Sequence, residues 1–340
     1  MRDISLVKLM PVEPRVPFIK GRTIAMILSI IGVLFSMFFF FTKGLNYGLD
    51  FTGGVVTTVS FGEEPPEDVQ AYVQTRFEGS QVQNISQPAG ATIQYDYLRI
   101  SLPLQLDEEP ASDTQAEEDR TQQSDAQQVA QAALMAALQE RYETVDVIST
   151  ETVSGKVSGE LRRKGLIAVV LALGLVLAYI WFRFEWQFGV GAVVALLHDV
   201  ILTVGFFELF QVEFNLAIVA AILTIVGYSL NDTVIVYDRI RENLRKYKKM
   251  PLDEVINISI NDTLSRTILT SVTTLLALSA LYVLGGPGLE GFSLAMIWGV
   301  IVGTYSSIFV ASPMLLALKL RRGSRIDAPK ADSDAEPRTA

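Results

Sequence analysis

Six stretches of the chain, about 23–41, 165–182, 188–207, 214–231, 267–286 and 292–318, are almost wholly apolar and close to twenty residues long. At ~1.5 Å rise per residue, even an 18-residue helix covers roughly 27 Å, near the hydrocarbon thickness of a bilayer. Each stretch is therefore read as a membrane-spanning helix. The uninterrupted run from Thr23 to Phe41 exceeds a signal-peptide core, and no small-x-small cleavage site follows it, so it is expected to be a retained span. Half the residues are apolar and the mean hydropathy is +0.34, but the excess sits in these runs.

The basic residues orient the spans. With the N-terminus inside, inside segments hold 19 of the 28 Lys and Arg, and the nine others all lie in one long outer loop. Arg162, Arg163 and Lys164 abut the second span on the outer side, which a long translocated loop tolerates. The expected layout is a cytoplasmic N-terminus 1–22, a first span 23–41, an extracytoplasmic domain 42–164, a five-helix bundle 165–318 with a cytoplasmic loop 236–265, and a cytoplasmic tail 319–340. The protein is thus expected in the cytoplasmic (inner) membrane as a multi-pass chain, with the lipid bilayer as a partner.

Residues 42–164 alone can form a soluble domain. A strand is expected at 53–61, a helix at 68–77, strands at 81–86 and 92–104, a helix at 126–142 and a strand at 144–149. That order, β-α-β-β-α-β, is the split ferredoxin-like arrangement, so the fold class is a polytopic α-helical membrane protein of six spans with one extracytoplasmic α+β domain. The acidic, polar stretch 107–128 is expected to be a disordered, solvated insertion.

Composition removes several functions. A formal charge of −9 leaves no general basic surface for nucleic acid. Zero cysteines exclude disulfides, thiolate catalysis and Cys-ligated metals, and the single His198 excludes a multi-histidine site. No catalytic, cofactor-binding or metal site is expected, and the protein is not expected to be an enzyme.

Ionisable residues inside spans are costly and mark function by default. Asp232 ends the fourth span, with Tyr228, Ser229 and Asn231 extending a polar face beside it. Arg266 opens the fifth span, and Thr270, Thr273 and Thr274 follow on one helical face above it. A buried carboxylate facing an arginine has two states: desolvation favours the neutral acid and the guanidinium favours the ion pair. Movement of Arg266 would then change the proton affinity of Asp232; a static tie between two helices is the competing reading. Asp199 at mid-span is a relay candidate; its neighbour His198, ~100° away on the helix, is grouped with it as proton-coupling but reads first as a hydrogen-bonded packing residue. Gly299 and Gly303, and similarly Gly189 and Gly191, mark close helix approach. Gly48, Asp50, Gly53 and Gly54 form a turn where the chain leaves the membrane, read as a structural hinge, with Asp50 bonding or capping the turn as the competing reading.

Gly48 to Gly54, Leu197-His198-Asp199-Val200, Gly227 to Asn243 and Asn261 to Ser271 together resemble SecF-type members of the SecD/SecF family, in the resistance-nodulation-division superfamily. The resemblance spans nearly the whole chain, and the acidic insertion departs from the usual pattern. It implies proton-dependent function at Asp232 and Arg266, a SecD-like counterpart, the SecYEG channel and the translocating polypeptide as partners, and the proton gradient rather than a cofactor as energy source. The expected role is promotion of late steps of preprotein translocation. The alternatives are a proton-coupled small-molecule exporter subunit of the same superfamily and a non-conducting membrane scaffold.

Overall fold

The computed structural model describes residues 16–62, 65–77, 79–85, 97–103, 116–142, 144–153, 155–318 and 320. Six helices among them are long and apolar enough to cross a membrane. After a 3-10 turn Phe18–Gly21 comes α1 (Arg22–Thr42), and then the short α2 (Leu49–Thr52). The soluble domain follows as β1 (Gly54–Ser60), α3 (Val69–Arg76), β2 (Gln81–Ile85), β3 (Tyr97–Pro103), α4 (Ala116–Arg141) and β4 (Asp146–Val153). The remaining spans are α5 (Gly155–Arg183), α6 (Trp186–Phe210), α7 (Leu216–Lys246), α8 (Leu252–Leu284) and α9 (Pro287–Ser306); a π turn Ser307–Ala311 joins α9 to α10 (Ser312–Ala317).

The domain has the expected β-α-β-β-α-β order, in an antiparallel sheet of strand order β2-β3-β1-β4. Strand β1 is central and buried on both faces, whereas β3 alternates, burying Leu98, Ile100 and Leu102. These meet Val69 and Val73 of α3 and Leu134 and Leu138 of α4 in one apolar core. Arg141 donates to Asp68 at 2.6 Å, tying α4 to the start of α3; this hydrogen bond holds the Asp68 carboxyl below the usual carboxylate range.

Two expectations need correction. The stretch 107–128 is not unstructured throughout: 116–128 belong to α4, while 107–115 lie outside the described residues. A run of Ala, Glu and Gln has high helix propensity and extends a helix already anchored by Leu134 and Leu138. The segment 236–265 is likewise a helical hairpin, with only 247–251 between α7 and α8. Its polar residues pair across the hairpin: Arg239 donates to Asp262 at 2.8 Å, and Asn243 to Ser259 and Asp262 at 3.0 Å each. The tail 319–340 also lies outside the described residues, apart from Leu320.

In the bundle, α7 packs most extensively on α9, with α6 and α8 beside them and α1 laid along α6. An apolar core on the soluble-domain side joins Phe207, Ile218, Ile222, Ile225 and Met296; another, on the hairpin side, joins Phe188, Tyr237, Ile240 and Ile256. Between the two, the helices bury carboxyls.

Candidate functional site

Helix α6 carries Asp199 to the middle of the bundle, where it has no exposed surface. Its Oδ2 accepts hydrogen bonds from Ser229 of α7 at 2.5 Å and Ser306 of α9 at 2.7 Å, and His198 Nδ1 lies 2.9 Å from its Oδ1. Asp232, three residues and nearly one turn beyond Ser229, is 6% exposed and has its own donors. Thr267 Oγ1 of α8 donates to its Oδ1 and Ser307 Oγ to its Oδ2, both at 2.7 Å. Helices α7, α8 and α9 and the π turn thus supply two buried carboxyls with hydroxyl donors that replace lost water.

The adjacent serines make this one site. Residues i and i+1 of a helix point ~100° apart, so Ser306 reaches α6 while Ser307 reaches α7. The π turn beginning at Ser307 has a local cause. Pro313 supplies no N–H and its ring would meet the carbonyl four residues back, that of Phe309, so the helix widens there. Tyr237 donates to the Ala311 carbonyl at 3.0 Å, and Ser312 Oγ to that of Ser307 at 2.8 Å, satisfying backbone groups in the widened segment.

Glycines set the helix spacing. A Cβ on Gly303 would sit 3.0 Å from the Cβ of Ser229, and one on Gly299 would run into the side chain of Ile225. Helices α7 and α9 therefore approach closely enough for Ser229 and Ser306 to share one carboxylate oxygen. Gly191 does the same for the Tyr237 hydroxyl, while Gly189 has only ordinary contact with Ile180.

The remaining expected site residues are placed as follows. Arg266 is exposed and forms no ion pair with Asp232; the hydroxyls of Thr267 and Ser307 hold that carboxyl instead. The expected hydroxyl row on α8 is also displaced. Thr270 and Thr273 are exposed and donate to carbonyls of their own helix, and Thr274 is half-buried. Thr267 and Ser271 face the bundle instead, Ser271 lying 2.7 Å from Thr304 of α9. The inward face is one residue, or ~100°, away from the one projected from Arg266. Asn231 is exposed, and the buried hydroxyl of Tyr228 has no hydrogen-bond partner among the described residues. His198 and Asp199 hydrogen-bond each other, and the His198 ring stacks on Tyr305 with centroids 6.1 Å apart.

Sequence reasoning passed over Thr267, Ser306, Ser307 and Glu208. The first three had a signal, a hydroxyl next to Arg266 and a Ser-Ser pair six residues before a proline in a span. Glu208 is fully buried on the soluble-domain side of α6, with neither carboxyl oxygen hydrogen-bonded among the described residues. In the membrane-exit turn, Gly48 leaves no room for a Cβ beside Glu213. Gly53 (φ 69°) and Gly54 (φ 134°) take left-handed backbone that lets α2 turn sharply into β1. Asp50 accepts from the backbone N–H of Leu216, the first residue of α7, at 2.9 Å. No cluster of three metal-ligating side chains occurs among the described residues.

Comparison with known proteins places this architecture. The family described as "Protein export membrane protein SecD/SecF, C-terminal" matches residues 133–321, and the "SecD/SecF GG Motif" matches 38–64. The chain is 42% identical over 332 residues to the protein translocase subunit SecF of Cereibacter sphaeroides, covering 96% of each chain. It is 37% identical to that of Haemophilus influenzae, covering 99% of this chain and 95% of the relative. Protein translocase subunit SecDF of Brucella abortus is 39% identical, but there the match covers 96% of this chain and 41% of the longer relative. The crystal structure of SecDF from Thermus thermophilus, a translocon-associated membrane protein, superposes with a TM-score of 0.73 at 35% identity, covering 92% of this chain and 40% of that one. This six-span chain belongs to the SecD/SecF family of protein export membrane proteins, as a SecF-type member.

Proposed function

We propose that this chain works with a SecD-type partner and the SecYEG channel in the cytoplasmic membrane, where the proton gradient promotes late steps of polypeptide translocation. The likeness to SecDF, in which SecD and SecF parts share one chain, supports the partner. The lysine and arginine distribution supports cytoplasmic termini and an extracytoplasmic soluble domain. The observation that carries the proton reading is the pair of buried carboxyls, Asp199 and Asp232, whose donors Ser306 and Ser307 are neighbours where α9 passes into the π turn.

The chemistry follows from what a carboxyl can donate and accept. Ionised, Asp232 only accepts, and Thr267 and Ser307 both fit that role. Once protonated it becomes a donor at one oxygen, so a serine or threonine there must turn and accept instead. Asp199, holding Ser229 and Ser306, obeys the same rule. Each protonation therefore changes which hydrogen bonds join α7 to α8 and α9, and α6 to α7 and α9. Arg266, free of an ion pair among the described residues, supplies a cation whose approach or retreat biases the Asp232 state. Each charge crossing ~100 mV makes about 2.3 kcal/mol available to drive the cycle. The proposed role is transport, without a covalent step or a cofactor.

The test is export into inverted membrane vesicles containing the complete complex, with and without a gradient. Asp232→Asn keeps the shape and removes the titration; it is expected to leave ATP-driven entry intact and abolish gradient-dependent completion. Arg266→Ala is expected to do the same. If the Asp232→Asn protein retains gradient stimulation, the proton reading fails. A purely structural scaffold predicts restoration when Asp232 and its donors Thr267 and Ser307 are replaced together by matched apolar residues, and an exporter subunit predicts no export defect.

A further inference from the structure

The membrane-exit turn makes more contact with the bundle than a hinge requires. Segment 44–51 runs beside the α6–α7 connection, bridged in parallel at Tyr47 and Phe214. Phe214 N–H donates to the Asn46 carbonyl at 2.7 Å, and Gly48 N–H to the Phe214 carbonyl at 2.9 Å. The Phe51 and Phe214 rings stack 5.9 Å apart. The soluble domain grips the same connection from β2, where Gln83 donates to Glu213 at 3.2 Å. Finally, Asp50 accepts from the first N–H of α7, adding a second acceptor to a terminus already capped by Asn215. Helix α7 is the one that carries Ser229 and Asp232, about 20 and 24 Å farther along a continuous rod. At its other side, α2 packs on α5, the helix through which the chain returns from the domain to the membrane.

We infer that Asp50 is a positioning residue for the proton-driven step: it ties the soluble domain to the N-terminus of α7, so that α7 moves with the domain. The inference rests on the proton reading above. A domain joined only by flexible linkers would move independently of the buried carboxyls. One hydrogen-bonded to the end of a rigid helix carries any shift or rotation of that helix with it. The carboxylate is well suited to the place, since the helix terminus presents unpaired N–H groups and a partial positive charge. The glycines serve the same contact: Gly48 allows the close approach to Glu213, and Gly53 and Gly54 turn the chain from α2 into the sheet.

The test uses the full chain in its membrane complex. Since the chain has no cysteine, Val129→Cys on α4 and Leu289→Cys at the start of α9, both exposed, accept one spin-label pair, with the partner subunit cleared of cysteine. The distance between labels is measured across the pH range in which gradient-driven export operates. The unaltered tie is expected to show a pH-dependent shift in distance. Asp50→Asn, whose amide oxygen still accepts, is expected to keep that shift, and Asp50→Ala to lose it. Leu216→Pro cuts the same bond from the donor side. Proline is tolerated at the first helical position, and Asn215 already has the extended backbone that precedes proline, so this variant tests the tie without depending on how Asp50→Ala folds. Loss of the shift in Asp50→Ala and Leu216→Pro, with its retention in Asp50→Asn, is the expected pattern. A shift that survives in either cap-deficient variant, or is absent from the unaltered tie, overturns the inference. Failure of the proton reading is separate: it shows as a shift that persists in the Asp232→Asn, Asp199→Asn double variant.

Discussion

Ser306 and Ser293 provide a controlled comparison, because both lie on α9 and both are fully buried, yet only one has work for its hydroxyl. Ser306 donates to Asp199 at 2.7 Å, whereas Ser293 Oγ has no partner among the described residues. Replacing either by alanine removes the same atom and leaves a similar small space. A hydrogen bond to a charged group contributes roughly 1.5–3 kcal/mol net, and at ~2.1 cal/mol/K of unfolding entropy per residue a 340-residue chain loses about 1.4 °C of Tm per kcal/mol. Ser306→Ala should therefore lower the thermal unfolding midpoint of the solubilised complex by about 2–4 °C. Ser293→Ala should be neutral or slightly stabilising, since it removes an unpaired buried hydroxyl whose desolvation has a cost. Ser307→Ala repeats the Ser306 loss at Asp232, and the double variant should depart from additivity by about 0.5–3 kcal/mol if the two carboxyls act as one unit. Equal destabilisation by Ser293→Ala and Ser306→Ala would show that packing, and not the carboxylate bond, sets the cost, and the hydroxyl-bridged site would lose its basis.

Three other outcomes are expected. Because the hydrogen bond from Arg141 favours the ionised Asp68 and lowers its pKa relative to the unfolded chain, the pair contributes stability that is full above the usual carboxylate range and is lost as pH falls through the lowered value; hydrogen exchange of the α3 amides should speed up in that acid window, and Asp68→Asn should remove the pH dependence. Gly53→Ala forces a side chain into left-handed backbone at φ 69° and should cost about 1–3 kcal/mol, read as a lower unfolding midpoint with the sheet otherwise retained. A reporter fused after Leu316 should read cytoplasm and one inserted near Ser112 the outer compartment, and the reverse pattern would reject the orientation.

The spans were legible because a bilayer imposes one length and one polarity on a helix, and the order of elements in the soluble domain was legible because β3 alternates and β1 is rich in β-branched residues. What the residues could not show alone was rotation about each helix axis. Starting from Arg266, the wheel points to Thr270, Thr273 and Thr274; the packing of α8 on α9 turns Thr267 and Ser271 inward instead. A charged residue is a poor marker of the inward face near the end of a span, since a long side chain can reach water from the outside of a bundle. The π turn was equally hidden, although Pro313 announced an irregularity, because which carbonyl a proline displaces becomes meaningful only once the neighbours are known. Asp50 read as part of a hinge because its partner, Leu216, lies 166 residues away.

The most direct measurement is proton movement itself, in proteoliposomes holding the complete complex and a pH-sensitive dye, with a polypeptide in transit and an imposed gradient. The account predicts a gradient-driven, transit-dependent proton flux with Asp232 and Asp199 intact, and its loss in Asp232→Asn while the complex remains assembled. An unchanged flux in the Asp232→Asn, Asp199→Asn double variant would contradict it.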